Sequence, residues 1–220
     1  MNSDYFLKNK PQAIFFDFDG VVLESSNIKT QAFVELFSHL PKEQQNAIHD
    51  YHVSNMGVSR FKKFEWIYAT LLNKELSEEE SKALGEGFSK IVYQKILEAP
   101  FVPGVKDLLE WANQNTINFV ASGTPEEELR KVVKARDLQS YFTGVYGSPS
   151  TKENIVNEMI KKHRLERGRC WFIGDATTDY KAALATELNF IARNTAEFNE
   201  YWKAQRDIII VEDFSELLKR

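Results

Sequence analysis

Six short, continuous apolar runs punctuate the chain, and most of them end at glycine, aspartate or serine. Continuous apolarity, rather than strict alternation, is typical of strands that are buried on both faces of a sheet. From residue 104 onward, helical patterns of about ten to fifteen residues separate the runs, and this alternation predicts a parallel α/β sheet. The predicted strands are AIFF at 13–16, INFVAS at 117–122, GVYG at 144–147, CWFIG at 170–174, NFIA at 189–192 and DIIIV at 207–211.

The segment that follows INFVAS carries the signals of a helix start. Thr124 is predicted to cap the helix, Pro125 to occupy its first position and Glu127 to complete a capping box. A helix start at a strand end also binds anions, because its first backbone N–H groups are free. Ser122, Gly123 and Thr124 therefore form either an anion site or ordinary capping groups.

Residues 24–98 interrupt the alternation, because they contain no strand-like run and show three amphipathic helical periods instead. The third period follows Ser77 and Glu80, which have the spacing of a capping box. We therefore predict an all-helical insertion after the first strand. Its two connections to the sheet, near 24–27 and 99–104, are candidate hinges.

Composition and charge exclude several classes of protein. The 220 residues carry 28 Lys and Arg against 32 Asp and Glu, a formal net charge of −4, and no stretch concentrates the basic residues. We therefore expect no nucleic-acid partner. There is no apolar secretion signal and no apolar run of about 18 residues, so we expect a cytoplasmic protein without a membrane partner, as a monomer or weak homodimer. Cys170, the single cysteine, lies in CWFIG and is expected to be a buried apolar residue rather than a reactive thiol.

The motif DFDG at 17–20 directly follows the first predicted strand. In an extended chain Asp17 and Asp19 point to the same side, and Gly20 lets the backbone turn away. Two neighbouring carboxylates repel each other unless a cation is present, and Mg²⁺ prefers such oxygen ligands. The motif therefore indicates either a metal site or an ordinary acidic turn.

A second acidic motif, GDATTD at 174–179, follows the predicted strand CWFI. Ligands gather at the carboxyl ends of parallel strands, so Asp175 and Asp179 can share one metal with the first motif. Helix capping explains the same two residues equally well. Lys152 begins a predicted helix, where a cation opposes the helix dipole, which indicates either a specific anionic partner or a lone surface lysine.

Taken in order, DFDG, Ser122, Lys152 and GDATTD resemble the four motifs of the haloacid dehalogenase superfamily of phosphotransferases, and the resemblance covers essentially the whole chain. It implies an α/β fold with a Rossmann-like, three-layer α/β/α core, a parallel sheet and an all-helical cap inserted after the first motif. The expected core comprises residues 1–23 and 99–220, and the expected cap comprises residues 24–98.

The resemblance also implies a Mg²⁺-dependent phosphatase that acts on a small phosphorylated metabolite, either a sugar phosphate or a phosphorylated acid. Asp17 is implied as the nucleophile that forms an aspartyl-phosphate, and Asp19 as the general acid and base. The implied metal ligands are Asp17, the backbone carbonyl of Asp19 and Asp175, with Asp179 supporting the site. The residues implied to hold the phosphate oxygens are Ser122, Gly123 and Lys152.

The loop GVSR at 57–60 resembles the specificity loop of β-phosphoglucomutase and its relatives, whose arginine binds the distal phosphate of the substrate. Arg60 is therefore either a substrate-binding residue or part of a solvated helix start. Met56, where those mutases carry lysine, and GDATTD, which replaces their Glu-Asp pair, favour a hydrolase similar to the phosphoglycolate phosphatases.

Three alternatives to a phosphatase stay open. The first is a sugar-phosphate mutase, and the second is a non-catalytic protein that binds a phosphorylated metabolite. The third is the phosphonoacetaldehyde-hydrolase branch, which needs a Schiff-base lysine in the cap. Lys62 and Lys63 are candidates for that lysine, but solvated charges explain them as well.

Overall fold

The structure is a computed structural model that describes residues 3–215 and 217–218. Its strands are β1 (Ala13–Phe16), β2 (Ile117–Pro125), β3 (Gly144–Ser148), β4 (Cys170–Gly174), β5 (Asn189–Arg193) and β6 (Ile209–Val211). They form one six-stranded sheet in the order β3-β2-β1-β4-β5-β6, and every neighbouring pair is parallel. β1 therefore lies at the centre, so whatever follows it stands in the middle of the carboxyl edge.

Helices cover both faces of this sheet. The α-helices of the described chain are α1 (Ser3–Lys8), α2 (Ser26–Leu36), α3 (Lys42–Ser54), α4 (Arg60–Trp66), α5 (Glu78–Glu98), α6 (Val105–Asn115), α7 (Glu126–Ala135), α8 (Lys152–His163), α9 (Thr177–Ala185) and α10 (Asn199–Lys203). A π-helix at Ile67–Leu72 continues α4. Residues of α6 and α7 pack in one hydrophobic cluster, and residues of α8, α9 and α10 pack in the other. The predicted α/β fold with a Rossmann-like, three-layer core is confirmed.

Burial of β1 on both faces explains its continuous apolar sequence. Ile14 and Phe16 belong to the cluster with α6 and α7, while Ala13 and Phe15 belong to the cluster with α8 and α9. All four residues are fully buried. Each large side chain contributes about 1.5–3 kcal/mol of transfer free energy, so no position of this strand tolerates a polar residue cheaply.

Helices α2 to α5 form the predicted all-helical segment between β1 and α6. Phe33, Phe64 and Phe88 pack in its interior, with 4.6 Å between the ring centroids of Phe33 and Phe88. The capping box of Ser77 and Glu80 is present at the start of α5, as predicted. These phenylalanines belong to the same hydrophobic cluster as residues of the sheet, so packing does not define a boundary between the helical segment and the core. The domain limits given above stay a prediction.

The two connections between the helical segment and the sheet lie side by side. The N–H of Glu24 donates to the carbonyl of Pro100 at 2.9 Å, and the N–H of Val102 donates to the carbonyl of Val22 at 3.2 Å. Both connections therefore form a two-stranded neck, and rotation about it would move the helices relative to the sheet. Their role as hinges stays a prediction.

The expected cap at Thr124 is wrong. β2 runs through Pro125 and α7 begins at Glu126, with Pro125 in the capping position and no side-chain hydrogen bond to the helix start. The Thr124 hydroxyl donates to the Asp19 carboxylate at 3.0 Å, and its oxygen accepts a hydrogen bond from Nζ of Lys29. A charged donor therefore takes the oxygen that a cap would offer to a backbone N–H.

Two further expectations concern burial and membranes. Cys170 is fully buried, as predicted. Among the described residues, no helix is both long and apolar enough to cross a bilayer.

Candidate active site

Asp17 stands at the carboxyl end of the central strand and is 3% exposed. Its Oδ1 accepts a hydrogen bond from the N–H of Phe18 at 2.8 Å, and its Oδ2 lies 3.1 Å from Nζ of Lys152. Burial raises the pKa of Asp17 to about 7, with Asp179 and Asp19 adding to the rise and Lys152 opposing it. The ionised form of this carboxylate therefore depends on nearby cations.

Two more carboxylates converge on Asp17 from the end of β4 and the first turn of α9. One oxygen from each of Asp17, Asp175 and Asp179 lies within 4.8 Å of the others, so the three acids can hold a metal ion. All three are buried. Burial and the two neighbouring carboxylates raise the pKa of Asp175 well above its usual value. Three buried acids this close repel strongly, and a divalent cation would relieve the repulsion.

Gly20 allows the turn after β1 to approach Asp175. Its φ is +77°, and a Cβ atom there would lie 1.9 Å from Oδ2 of Asp175. The same oxygen accepts a hydrogen bond from the hydroxyl of Ser26 at 3.1 Å. Glycine is therefore required here both by the backbone conformation and by the carboxylate.

Lys152 begins α8, as predicted, and Thr151 caps that helix. The lysine is 6% exposed, so it is not a surface lysine. Its Nζ contacts Oδ1 of Asp179 as well as Oδ2 of Asp17. Burial acts to lower the pKa of Lys152, but the two carboxylates raise it above its ordinary value, and the side chain stays charged.

Asp179 serves its helix and the acidic cluster at the same time. Its Oδ2 accepts a hydrogen bond from the N–H of Ala176 at 3.1 Å, while its Oδ1 contacts Lys152. Asp179 therefore caps the start of its helix and also lies in the acidic cluster, while its support of a metal stays a prediction.

Asp19 faces away from the acidic cluster and is surrounded by donors. Its carboxylate contacts Nζ of Lys29 and accepts hydrogen bonds from the hydroxyls of Ser25, at 2.6 Å, and Thr124, at 3.0 Å. Burial acts to raise the pKa of Asp19, but Lys29 and the two hydroxyls hold it below its usual value. The two aspartates of DFDG thus lie in opposite electrostatic environments. Only the Asp17 carboxylate joins the acidic cluster.

Ser122 and Gly123 line the same small cavity as Asp17, Asp19 and Asp175, a space of about 50 Å³. Ser122 is buried, and its Oγ accepts a hydrogen bond from the N–H of Thr124 at 3.2 Å. A Cβ atom on Gly123 would lie 2.2 Å from the carbonyl oxygen of Gly57. The helical segment therefore closes directly onto the sheet edge, through the loop that the sequence singled out.

Arg60 also lines this cavity, but its guanidinium is already paired. Two parallel hydrogen bonds, of 3.0 and 2.7 Å, join it to Glu128 of α7, and a third, of 2.8 Å, joins it to Ser89 of α5. Its Cζ lies 4.4 Å from the ring centroid of Phe88. Arg60 is thus buried rather than part of a solvated helix start.

Sequence reasoning missed Lys29, His52 and Glu128 as residues of the site region. Lys29 and His52 line the cavity, and Glu128 holds Arg60. A signal for Lys29 existed, since it lies four residues before Phe33 and therefore on the buried face of α2. The structure also separates two lysines that the sequence left equivalent: Lys62 is exposed, whereas Lys63 is buried and lines the cavity.

The fold and the site together are those of an α/β protein with a Rossmann-like core, an acidic cluster at the carboxyl edge of the sheet and a helical segment over it. The sequence profile described as haloacid dehalogenase-like hydrolase matches residues 14–193. The chain belongs to the haloacid dehalogenase-like hydrolase family. A search among curated proteins gives no match.

Solved structures with the same fold cover nearly the whole chain. A predicted phosphoglycolate phosphatase from Haemophilus somnus is 20% identical over 96% of this chain and 97% of its own, with a TM-score of 0.72. The β-phosphoglucomutase from Clostridium difficile is 18% identical over 95% of this chain and 94% of its own, with a TM-score of 0.73. A haloacid dehalogenase-type hydrolase from Bacillus subtilis, bound to magnesium, is 15% identical over 94% of this chain and 97% of its own, with a TM-score of 0.66.

Proposed function

We propose that this protein is a Mg²⁺-dependent phosphatase that hydrolyses a small phosphorylated metabolite through an aspartyl-phosphate intermediate. The observation that carries the proposal is the position of Asp17: a buried carboxylate beside Lys152, within 4.8 Å of two further acids, in a cavity closed by the helical segment. Family membership supports the hydrolase class, and the phosphatase among the solved relatives supports the reaction.

The two aspartates of DFDG divide the chemistry between them. A carboxylate oxygen of Asp17 attacks phosphorus while the ester P–O bond breaks. Asp19, whose ionised form Lys29 favours, takes a proton from the bound phosphate monoester and gives it to the leaving alkoxide. A water molecule then attacks the aspartyl-phosphate and gives a proton to Asp19. The P–O bond to Asp17 breaks, inorganic phosphate leaves with the proton from Asp19, and both carboxylates return to their starting states.

The phosphate oxygens need donors because they carry negative charge toward an anionic nucleophile. Ser122, the N–H of Gly123 and Lys152 are the proposed donors. The two β2 residues line the cavity, and Lys152 already contacts Asp17. Preorganised donors of this kind stabilise charge in the transition state without reorganising first.

The donor set fits a magnesium ion. The proposed ligands are the carboxylates of Asp17 and Asp175 and the backbone carbonyl of Asp19. Asp179 is proposed to support the site. All-oxygen ligation is what Mg²⁺ prefers, and the single positive charge of Lys152 does not balance three buried acids. When bound, the ion supplies charge neutralisation between carboxylate and phosphate. The magnesium reported for the Bacillus subtilis relative supports this choice.

A sugar-phosphate mutase is the second candidate, because the fold is also that of the β-phosphoglucomutase from Clostridium difficile. In such a mutase, Arg60 is expected to bind the distal phosphate. Here both terminal nitrogens of its guanidinium already donate to the carboxylate of Glu128. We therefore favour the phosphatase. Incubation with β-glucose 1-phosphate and a bisphosphate primer distinguishes the two, because a mutase yields an isomeric sugar phosphate and a phosphatase yields only inorganic phosphate.

The decisive experiment compares the wild-type protein with Asp17→Asn on p-nitrophenyl phosphate and a panel of phosphorylated metabolites, with Mg²⁺ and with chelator. We expect release of phosphate by the wild type in Mg²⁺ and none by the variant. Asp50→Asn is the matched control, because the side chain of Asp50 is 79% exposed and lies on α3, away from the cavity. Full activity of Asp17→Asn removes the nucleophile assignment. An inactive wild type favours a non-catalytic protein that binds a phosphorylated metabolite.

The expected setting of the enzyme is part of the same proposal. It acts in the cytoplasm, as a monomer or weak homodimer, on a small-molecule substrate without a nucleic-acid or membrane partner.

A further inference from the structure

Three cationic side chains of the helical segment line the cavity that contains Asp17. Lys29 is paired with Asp19, and Arg60 is paired with Glu128. Among the described residues, no carboxylate lies within ion-pair distance of Lys63. Burial, with Lys29 and Lys152 nearby, lowers the pKa of Lys63 to about 7, so its ammonium form has no paired counter-charge among the described residues and is favoured only when an anion binds.

The surroundings of Lys63 make that imbalance costly. The residue is 2% exposed, and its Nζ lies 5.3 Å from the ring centroid of Phe33. Its polar contact is Nδ1 of His52, at 2.9 Å, and His52 is itself buried. An ammonium group has three hydrogens to donate, so one such contact leaves it short of partners in an apolar setting.

His52 holds the lysine in a fixed position. Burial lowers the pKa of His52, and Lys63 and Lys29 lower it further, so the imidazole is neutral and its Nδ1 accepts the hydrogen bond from Lys63. The neutral ring orients Lys63 without balancing its charge. The remaining hydrogens of the lysine are then available to a group inside the cavity.

We propose that Lys63, positioned by His52, binds an anionic group of the substrate, a carboxylate or a second phosphate, at the end remote from the phosphoester. The inference rests on the proposed phosphatase function and names the substrate class that it selects. The phosphoester is assigned to the sheet edge by Asp17, Ser122 and Lys152, so the opposite wall receives the remainder of the molecule. An anion at that wall supplies a negative counter-charge to Lys63, whereas a neutral hydroxyl supplies none.

The experiment measures a ratio within each enzyme. The first pair of probes is phosphoglycolate and 2-hydroxyethyl phosphate, in which a hydroxymethyl group replaces the carboxylate. The second pair is 1,3-propanediol bisphosphate and 3-hydroxypropyl phosphate, in which a hydroxyl replaces the second phosphate. We expect wild-type kcat/KM to favour the anionic member of at least one pair by about ten- to hundred-fold, the range for a hydrogen bond to a charged group. The pair that shows the preference identifies carboxylate or phosphate.

The variants then assign the preference to Lys63. Lys63→Met is expected to reduce the ratio at least about ten-fold, and Lys63→Arg to retain part of it because the cation remains. Lys62→Met is the control, since the side chain of Lys62 is 69% exposed, and its ratio should equal that of the wild type. Because each ratio is internal, a variant that folds less well lowers both members and leaves the ratio intact.

Three results separate the possible failures. An active wild type with equal ratios for wild type and Lys63→Met overturns the anion subsite and leaves the phosphatase proposal standing. An inactive wild type overturns the phosphatase proposal, and the subsite with it. Covalent attachment of a carbonyl-bearing phosphorylated substrate to Lys63 on borohydride reduction also overturns the subsite, because an ion pair forms no reducible bond.

Discussion

The guanidinium of Arg60 and the carboxylate of Glu128 form a two-hydrogen-bond ion pair between the helical segment and α7, with N···O distances of 3.0 and 2.7 Å. Neither side chain is more than 13% exposed, and burial, which acts to raise the pKa of Glu128, is outweighed by Arg60 and Ser89, which hold it below its usual value. The pair therefore fastens the helical segment, through a residue that lines the cavity, to a helix that packs on the sheet.

The first prediction concerns this ion pair. Glu128→Gln leaves a buried guanidinium without its counter-charge, which costs about 3 kcal/mol unless the helical segment opens to hydrate it. Opening is the cheaper response, so we expect KM to rise several-fold while the unfolding midpoint moves little. Steady-state kinetics and urea unfolding measure the two effects. Ser89→Ala, which removes one neutral partner of Arg60, is the milder control. An unchanged KM for Glu128→Gln would contradict a closing role.

The second prediction concerns Lys29, which holds Asp19 in place together with Ser25 and Thr124. Lys29→Met frees the Asp19 carboxylate, so proton delivery to the leaving group suffers. Alkyl phosphates, whose alkoxide products need that proton, should lose about ten-fold or more in kcat, with general acid catalysis worth roughly 10²–10⁴-fold in all. p-Nitrophenyl phosphate, which leaves as a stable phenolate, should lose much less. Equal losses on both substrates would mean that Lys29 does not act through Asp19.

The third prediction links metal, pH and stability. Burial raises the pKa of Asp17 to about 7 in the folded, metal-free protein, against the ordinary value of 3.8. The folded state then binds more protons than the unfolded state between these values, so its stability falls as pH rises from about 4 to about 7. Mg²⁺ binds the ionised acids, so it should stabilise the folded protein more at pH 8 than at pH 5.5. At pH 8, Mg²⁺ at a hundred times its Kd should raise the free energy of unfolding by about 2.7 kcal/mol.

Thermal unfolding in Mg²⁺ and in chelator at the two pH values tests this. Asp175→Asn is the matched variant, and it should lose most of the Mg²⁺-dependent shift in Tm. A shift of the same size at both pH values, or in Asp175→Asn, would contradict the assignment of the metal to these acids.

The fourth prediction concerns Gly20. In Gly20→Ala the new Cβ meets Oδ2 of Asp175 in a backbone conformation that L-residues rarely adopt. We expect Asp175 to move, Mg²⁺ affinity to fall and activity to drop at least about ten-fold. Gly168→Ala is the control, since nothing lies within 4 Å of the equivalent Cβ. Calorimetric titration with Mg²⁺ compares the two variants, and equal affinities would argue against the close packing of this turn.

The fifth prediction concerns Cys170. Burial raises the pKa of its thiol to about 11, and only the thiolate reacts with alkylating reagents. The folded protein should therefore resist iodoacetamide at pH 8, whereas the protein in denaturant should be modified at one site. Mass spectrometry of intact protein reads the difference, and rapid labelling of the folded protein would show that β4 opens readily.

Much of the fold was readable from the sequence because its signals are local. A strand buried on both faces needs an unbroken apolar run, as in AIFF, and a helix start needs its capping groups, as at Ser77. Thr124 marks the limit of such local reasoning. Its neighbours predicted a capping role, but the ammonium group of Lys29, 95 residues earlier in the chain, donates to its oxygen instead.

The sequence by itself determined which residues stand near or just beyond the carboxyl ends of the strands, and therefore that Asp17, Ser122, Lys152 and Asp175 could meet. Parallel strands bring their carboxyl ends to one edge whatever the loops between them do. Only the tertiary structure decided how the charges pair: Lys29 with Asp19, Arg60 with Glu128, and Lys63 with the neutral ring of His52. Pairing depends on distances of a few ångströms and on the exclusion of water, and neither is encoded in spacing along the chain.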